Sequence, residues 1–453
     1  MNNEERSFLK LVIDYSQRHK LFHAKGLYLV ALSGGADSVA LLRVMKAMGI
    51  TVHAMHCNFH LRGTESDRDE QFCRDLCERL GIELHLIHFD TKTYSTLHHV
   101  SIEMAARDLR YAYFNRLAKD LSACGICVAH HRDDCAETVL LNLLRGTGVH
   151  GLRGIMPRNG NILRPLLCVG RKDIEQYLTA ISQNYVTDSS NLVNDVMRNK
   201  IRLDIMPLLE QINPTAKETI AKSAEHIAEA TKIVDASTSH SIDDIRVASQ
   251  KYDVFSIDGL MQQPSSEYVL FTLLERYGFS SQQVHQIHDT ISQNRLACGK
   301  TWSSDTHAVL LDRGNIVVNT LNNQPFKPMR IPETGTYIID SAEHKIKLEV
   351  LPYEGMQSIS KEASCACVDA DKVAFPLMLR LYSNGDKFIP FGMRQHKLVS
   401  DYLTDKKRNL FDKREQLVLT THNNEIVWVV NERVDNRFRV SDSTNAVLKI
   451  ALL

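Results

Sequence analysis

At 453 residues the chain is too long for one hydrophobic core, so two or three domains are expected. Its 43% hydrophobic and 24% charged residues are those of a soluble globular protein, and no apolar run approaches the ~18 residues that a membrane-spanning helix needs. Lys plus Arg equal Asp plus Glu, 54 against 54, so net charge neither favours nor disfavours a nucleic-acid partner.

The opening Met-Asn-Asn-Glu-Glu-Arg is polar and acidic, unlike a secretory leader. The ten scattered cysteines then read as reduced thiols in a cytoplasm. Residues 4–23 predict a helix, with Phe8, Leu9, Val12, Ile13 and Tyr15 as its apolar stripe. The apolar run from Leu27 ends abruptly in Ser33-Gly34-Gly35-Ala36-Asp37-Ser38, and a second run follows at helical spacing. That pattern is strand, glycine turn, helix. Two adjacent glycines let the backbone approach a ligand and turn its N–H groups inward. The helix adds free N–H groups and the positive end of its dipole. Ser33 to Ser38 are therefore expected to cradle an anion, phosphate first. No Gly-Lys-Ser/Thr follows and the Gly-x-Gly-x-x-Gly spacing is absent, which excludes a Walker loop and the dinucleotide fingerprint. The six residues alone also fit an ordinary turn.

Thr51–His56 predicts a second strand, and Cys57–Gly63 a loop. Thr64 is placed to cap a helix reaching Leu80, which Gly81 ends. Ile82–Phe89 predicts the third strand, Ser101–Ser122 a long amphipathic helix, and Ile126–Ala129 the fourth strand. That strand runs into His130-His131-Arg132-Asp133-Asp134, and a helix from about Cys135 to Leu144 carries Glu137. The alternation predicts an α/β fold, an open parallel sheet flanked by helices. In such sheets ligands bind beyond the carboxyl ends of the strands. The glycine loop, the His56–His60 segment and the His131–Asp134 segment all fall there.

Asp133, Asp134 and Glu137 fit an acidic first turn that complements the helix dipole. Beside Asp37 they gain a second reading, because carboxylates near phosphates hold Mg2+. Asp37 and Asp134 are the metal candidates. His53, His56 and His60 lack the spacing of a zinc site and read as surface residues. Cys124 and Cys127 have redox or metal spacing, but Cys127 sits in an apolar strand and reads as core.

Pro207 and Pro214 bracket the exit from this domain. Ala216–Ala236 predicts a helix with Ile220, Ala224, Ile227, Ala230 and Ile233 on one stripe. Helices follow over 266–277 and 281–294, then a hairpin over 301–319 that turns at Arg313-Gly-Asn. The stretch from Asn322 to Pro328 has linker composition. Tyr337–Ile339, Ile346–Val350 and Ile426–Val430 are strand-like. The expected domains are 1–212, a mostly helical 213–322, and a mixed α/β 323–453. Arg394 to Arg414 holds seven Lys/Arg against three Asp/Glu, which fits either a phosphate-backbone patch or a solvated helix face.

Taken together, the motifs resemble a known family. The Ser-Gly-Gly-x-Asp-Ser loop resembles that of the PP-loop ATP pyrophosphatases. The run Ala129-His-His-Arg-Asp-Asp-Cys-Ala-Glu-Thr, then Gly151-Leu-Arg-Gly-Ile155, Arg164-Pro-Leu-Leu167, Asp188-Ser-Ser-Asn191 with Asn194-Asp195, and Arg198-Asn-Lys-Ile-Arg202 follow in one order. With Ala105-Ala-Arg-Asp-Leu-Arg-Tyr111 they resemble the tRNA(Ile)-lysidine synthetases. Gly385-Asp-Lys-Phe and Trp428 to Phe438 resemble the C-terminal domain of the longer members. Cys135 and Asn58 depart from the family, which commonly has Gln at the first position and often an acidic residue at the second.

The resemblance implies ATP, Mg2+, L-lysine and a tRNA(Ile) with a CAU anticodon, and no membrane partner. It implies adenylation of a cytidine followed by lysine attack. Asp37, His131, Asp133, Arg107 and Arg110 are its implied catalytic residues, and the C-terminal domain its implied tRNA binder. A homodimer is compatible with the chain. One rival is a PP-loop tRNA thiolase, against which the strand placement of Cys124 and Cys127 argues. The other is a non-catalytic tRNA-binding protein, against which the intact Ser33–Ser38 loop argues.

Overall fold

The computed structural model describes residues 2–23, 25–187, 197–321, 326–339, 344–353, 355, 359–360 and 362–453. The chain divides into two compact units, Met1–Asp235 and Ala236–Leu453.

The first unit runs α1 (Asn3–Arg18), β1 (Leu27–Ala31), α2 (Ala36–Ala47), β2 (Thr51–Asn58), α3 (Thr64–Leu80), β3 (Leu84–His88), α4 (Thr91–His98), α5 (Ile102–Asp120), β4 (Gly125–Cys127), α6 (Arg132–Arg145), α7 (Gly148–Leu152), β5 (Arg158–Asn159), β6 (Ile162–Leu163), α8 (Arg171–Ala180), α9 (Met197–Lys200) and α10 (Met206–Ile212). The sheet order is β3-β2-β1-β4-β6-β5, parallel except for β5. Strand order reverses between β1 and β4, so the crevice for a ligand opens where those two strands end. On one face Tyr28 and Val30 of β1 pack with Val39 and Leu42 of α2 and with residues of α1, α3 and α8. The other packs Leu29, Met55 and Ile126 under Tyr113 and Phe114 of α5.

Several boundaries differ from those expected, each for a local reason. β2 continues to Asn58 because Cys57 and Asn58 stay in register with Ile87 and His88. Gly63 holds the cap position of α3 and Thr64 is its first helical residue, so the threonine does not cap; Gly81 ends the helix in the left-handed region. α4 was not legible as a helix; Asp90 caps it by accepting the Thr93 N–H at 3.1 Å. α6 starts at Arg132 rather than Cys135 because the Asp134 carboxylate, three residues into the helix, accepts the His131 N–H at 3.0 Å.

A long helix, α11 (Ala216–Asp244), follows. Ala221, Ala224 and Ala228 are its buried stripe. Ile233 is 74% exposed and Ala230 is exposed as well, so the expected isoleucine stripe is only part of the packed face.

In the second unit, helices 266–275 and 281–293 back a five-stranded sheet built from residues 246–247, 253–256, 301–303, 307–312 and 315–320. Helix residues still outnumber strand residues over 213–322, and the expected hairpin is part of this larger sheet. Beyond it lie two antiparallel sheets, of five and four strands, sharing a core around Trp428, Leu419 and Leu448. The linker residues 322–325 lie outside the described residues. Among the described residues no helix is long and apolar enough to cross a membrane.

Candidate active site

The glycine loop is held from several sides. Gly34 has φ +90°, and a Cβ there would lie 3.0 Å from Val186 Cγ2. Its carbonyl accepts the Val186 N–H at 2.9 Å. Gly35 occupies the cap position of α2 with no side chain to compete for the helix N–H groups. The Ser38 hydroxyl donates to the Gly35 carbonyl at 2.9 Å and accepts the Ser33 N–H at 3.1 Å. The Ser33 and Ser38 hydroxyls are 3.1 Å apart. The two serines thus shape the loop, and the backbone of Ser33 to Ala36 is what it presents. Behind it, His56 is buried rather than on the surface, and its Nδ1–H donates to the Leu32 carbonyl at 2.8 Å. Burial pushes the His56 pKa down, which keeps the ring neutral.

Asp37 lies on the first turn of α2, facing the start of α6. Its Oδ2 accepts from Arg171 Nη1 at 2.7 Å. Its Oδ1 is buried and has no hydrogen-bond partner among the described residues. His131 Nε2 lies 3.8 Å from Asp37 Oδ1 and 3.5 Å from Asp134 Oδ2. Burial raises the Asp37 pKa, against the lowering effect of His131 and Arg171. Burial also pushes Asp134 up, but His131, Arg198 and the His131 N–H outweigh it, so Asp134 sits below the usual carboxylate range.

Asp134 and Glu137 are joined to two arginines. Arg198 reaches Glu137 at 3.0 Å and Asp134 at 3.2 Å; Arg202 reaches Glu137 at 2.7 and 2.9 Å and Asp134 at 3.3 Å. Glu137 is 2% exposed, so its charge depends on these two partners. On the far side of His131, burial pushes the neighbouring His130 down to about 4. Its neutral Nδ1 accepts from Arg164 Nε at 3.2 Å.

The structure thus brings together Asp37, His131 and Asp134 of the expected set. Asp133 points elsewhere: its Oδ2 is 3.6 Å from Lys217 Nζ, and its Oδ1 would lie 3.0 Å from a Cβ on Gly170. Arg107 and Arg110 are exposed on α5, with their guanidiniums over the Tyr111 and Phe59 rings, each at 5.2 Å. Neither stands on the acidic cluster. Asn58 is buried and fully engaged, donating to Glu70 at 2.9 Å and accepting the His60 N–H at 3.0 Å. Glu70, not residue 58, supplies a carboxylate there. Cys127 is wholly buried in β4 and Cys124 is exposed just before that strand, at the end remote from the glycine loop. Residues 188–191, 194 and 195 of the motif series lie outside the described residues.

Arg171 was missed. Its sequence signal was slight, a helix start with Glu175 one turn on, to which it also bonds at 2.7 Å. Arg198 and Arg202 were visible only as parts of a motif, and Glu137 only as a carboxylate one turn after Asp134, without their mutual pairing.

Mg2+ takes oxygen ligands, commonly one or two carboxylates completed by substrate phosphates and water. Asp37 Oδ1, buried beside the glycine loop without a hydrogen-bond partner among the described residues, fits that donor set. Asp134 fits it less freely, because His131, Arg198 and Arg202 already engage both of its oxygens.

Residues 2–209 match the family model of a PP-loop domain, and residues 249–321 that of a TilS substrate binding domain. A tRNA(Ile)-lysidine synthase of Bacteroides thetaiotaomicron is 42% identical over 96% of this chain and 98% of its own. One from Parabacteroides distasonis is 43% identical over 97% and 98%. Among solved structures, a U34-tRNA thiolase of Methanococcus maripaludis overlaps 49% of this chain and 79% of its own, at 19% identity and a TM-score of 0.42. With a PP-loop domain on a parallel sheet, a second matched domain beyond it, and identity running nearly end to end, the chain belongs to the tRNA(Ile)-lysidine synthase family of carbon–nitrogen ligases.

Proposed function

We propose that the protein joins L-lysine to C2 of the wobble cytidine in the CAU anticodon of tRNA(Ile), consuming ATP in the cytoplasm and changing codon reading from AUG to AUA. Cytosine O2 is a poor leaving group. Its attack on the ATP α-phosphorus forms an O–P bond, breaks the bond to the β-phosphate oxygen and releases diphosphate. The neutral lysine ε-amine then bonds to C2, and AMP departs with O2. The amine must shed a proton, since free lysine is protonated at pH 7. The cytidine must leave its stack to reach the crevice.

The observation that carries this reading is Asp37 Oδ1, a buried carboxylate oxygen with no hydrogen-bond partner among the described residues, on the first turn of the helix that Gly35 opens. In this assignment the loop from Ser33 to Ser38 and the start of α2 hold the phosphates, chiefly through the Gly34 and Ala36 amides, while Ser33 and Ser38 fix the loop by bonding the Gly35 and Ser33 amides. Asp37, seconded by Asp134, would hold Mg2+, which supplies charge neutralisation for the departing diphosphate. His131, poised between the two carboxylates, orients them and the adenylate. Arg107 and Arg110 are solvent-facing cations on the same domain, suited to the tRNA backbone rather than to the reacting atoms. Asp133 supports the start of α6 through Lys217. The basic 394–414 segment serves the tRNA as well.

The test is radiolabelled lysine offered with ATP and a panel of tRNAs. Label should enter only tRNA bearing a CAU isoleucine anticodon, with stoichiometric diphosphate release. No incorporation under saturating Mg-ATP would sink the proposal.

A further inference from the structure

We propose that His53, Glu83 and His85 form a site for one divalent transition-metal ion of the zinc type, remote from the reaction centre, that pins the edge strand β3 to β2.

The three side chains are the one group of His, Cys, Asp and Glu residues among the described residues whose ligand atoms all lie within 4.8 Å of one another. His53 Nδ1 is 3.0 Å from His85 Nε2. The Glu83 oxygens are 3.5 Å from His85 Nε2 and 3.6 Å from His53 Nε2. Strand geometry produces the convergence. The ladder continues one residue before β3, with the Ala54 N–H donating to the Glu83 carbonyl at 2.8 Å, so His53 and Glu83 are neighbours across the strands. Glu83 and His85, two apart, share a face. On that face Met55, Cys57 and Ile87 lead into the core beneath α5, which gives the rings an apolar wall on one side.

Two imidazoles and a carboxylate are a donor set that suits Zn2+ and leaves a fourth position for water. The His side chains are 22% and 18% exposed and Glu83 is 61% exposed, so an ion has a way in. The sequence could not show the trio, because the ligands come from two strands. The next histidines along the chain do not join it: His56 of β2 is committed to Leu32, and His60, just beyond the strand, pairs through Nε2 with His88 Nδ1 at 2.8 Å. His53 pairs with Leu29 of β1, four residues before Ser33, which puts it about 13 Å along the strand direction from the start of the glycine loop. Any ion here therefore acts on the fold of the edge strand and not on the reaction. Metal binding to a preformed site raises the stability of the folded state.

The test uses the full chain, freed of metal by a chelator and titrated with Zn2+ against a chromophoric competitor, then with Co2+ for its visible spectrum. One equivalent should bind and raise the melting temperature, and Co2+ should show no thiolate charge-transfer band. His53→Asn, Glu83→Gln and His85→Asn should each weaken binding at least about tenfold, the loss typical of even an outer-sphere partner. Glu83 is exposed, so its variant folds whatever the histidine changes do. Asp37→Asn and His60→Asn should retain the full affinity. Absence of binding at micromolar Zn2+, binding that survives all three changes, or a thiolate band in the Co2+ spectrum would each overturn the site.

Discussion

Arg171 Nη1 donates to Asp37 Oδ2 at 2.7 Å across 134 residues of sequence. The bond fixes which oxygen of Asp37 is engaged and which is left beside His131 without a hydrogen-bond partner among the described residues. Replacing Arg171 by Met should therefore leave the fold intact but let the carboxylate rotate. Losing a partner that orients a ligand costs ~10–100-fold in metal affinity or activity. The check is diphosphate release as a function of Mg2+ concentration: the half-saturating Mg2+ should rise, while tRNA affinity by filter binding stays the same. Asp37→Ala should abolish adenylation outright and again spare tRNA binding.

The two glycines of the loop should behave differently. Gly34→Ala places a Cβ at φ +90° and 3.0 Å from Val186, a strained position costing about 1–2 kcal/mol. Gly35 has φ −70°, and a Cβ there meets only Ser33 Oγ at 3.5 Å and the Val186 carbonyl at 4.0 Å. Gly35→Ala should thus leave stability within about 0.5 kcal/mol and raise the KM for ATP. Denaturant unfolding and ATP kinetics on the same pair separate the two effects.

In the second unit, Arg380 holds Asp386 through two bonds, 2.7 and 2.9 Å, and the Ser383 N–H adds a third at 2.7 Å. Burial pushes the Asp386 pKa up, but these donors outweigh it and the folded value is depressed. A depressed carboxylate stabilises the fold above its unfolded pKa of about 4, and that contribution is lost as pH falls through the lower folded value. Asp386→Asn should cost about 3 kcal/mol at neutral pH, since both side chains are at most 15% exposed. The gap between variant and parent should close below about pH 4. Chemical unfolding of the two proteins across that range reads it directly.

The basic C-terminal segment is less uniform than its composition implies. Arg408 is paired with Glu432 at 2.7 Å, and Lys397 with Asp405. Lys406 and Lys407 are exposed, with no carboxylate in that role among the described residues. Charge reversal of Lys406 and Lys407 should weaken tRNA binding evenly across sequences and reduce the salt slope by about 1 per lost phosphate contact. An unchanged slope would remove this face from the tRNA interface.

How much of the site was legible follows from how local each signal was. Ser33 to Ser38 could be read because a strand, two glycines and a helix start are contiguous. The pairing of Asp134 with Glu137 was readable as one helical turn. Asp133 misled because α6 begins at Arg132, three residues earlier than its apolar pattern indicates. Once that start is known, successive residues point about 100° apart, and Asp133 and Asp134 cannot both face Asp37. Arg171 arrives from a helix packed against α2, a contact that no local pattern encodes. The expected stripe of α11 held only at its start: Ile220 and Ala224 pack on the first unit's core, while Ala230 and Ile233 are exposed.

The hydrogen bond from the Val186 N–H to the Gly34 carbonyl gives one backbone amide an additional use. Solvent exchange at that amide requires the glycine loop to part from the chain beside it. Nucleotide seated in the loop should retard its deuterium uptake. The timing of loop opening through a catalytic cycle can then be followed on the backbone beside the loop, without a probe attached to tRNA, lysine or ATP.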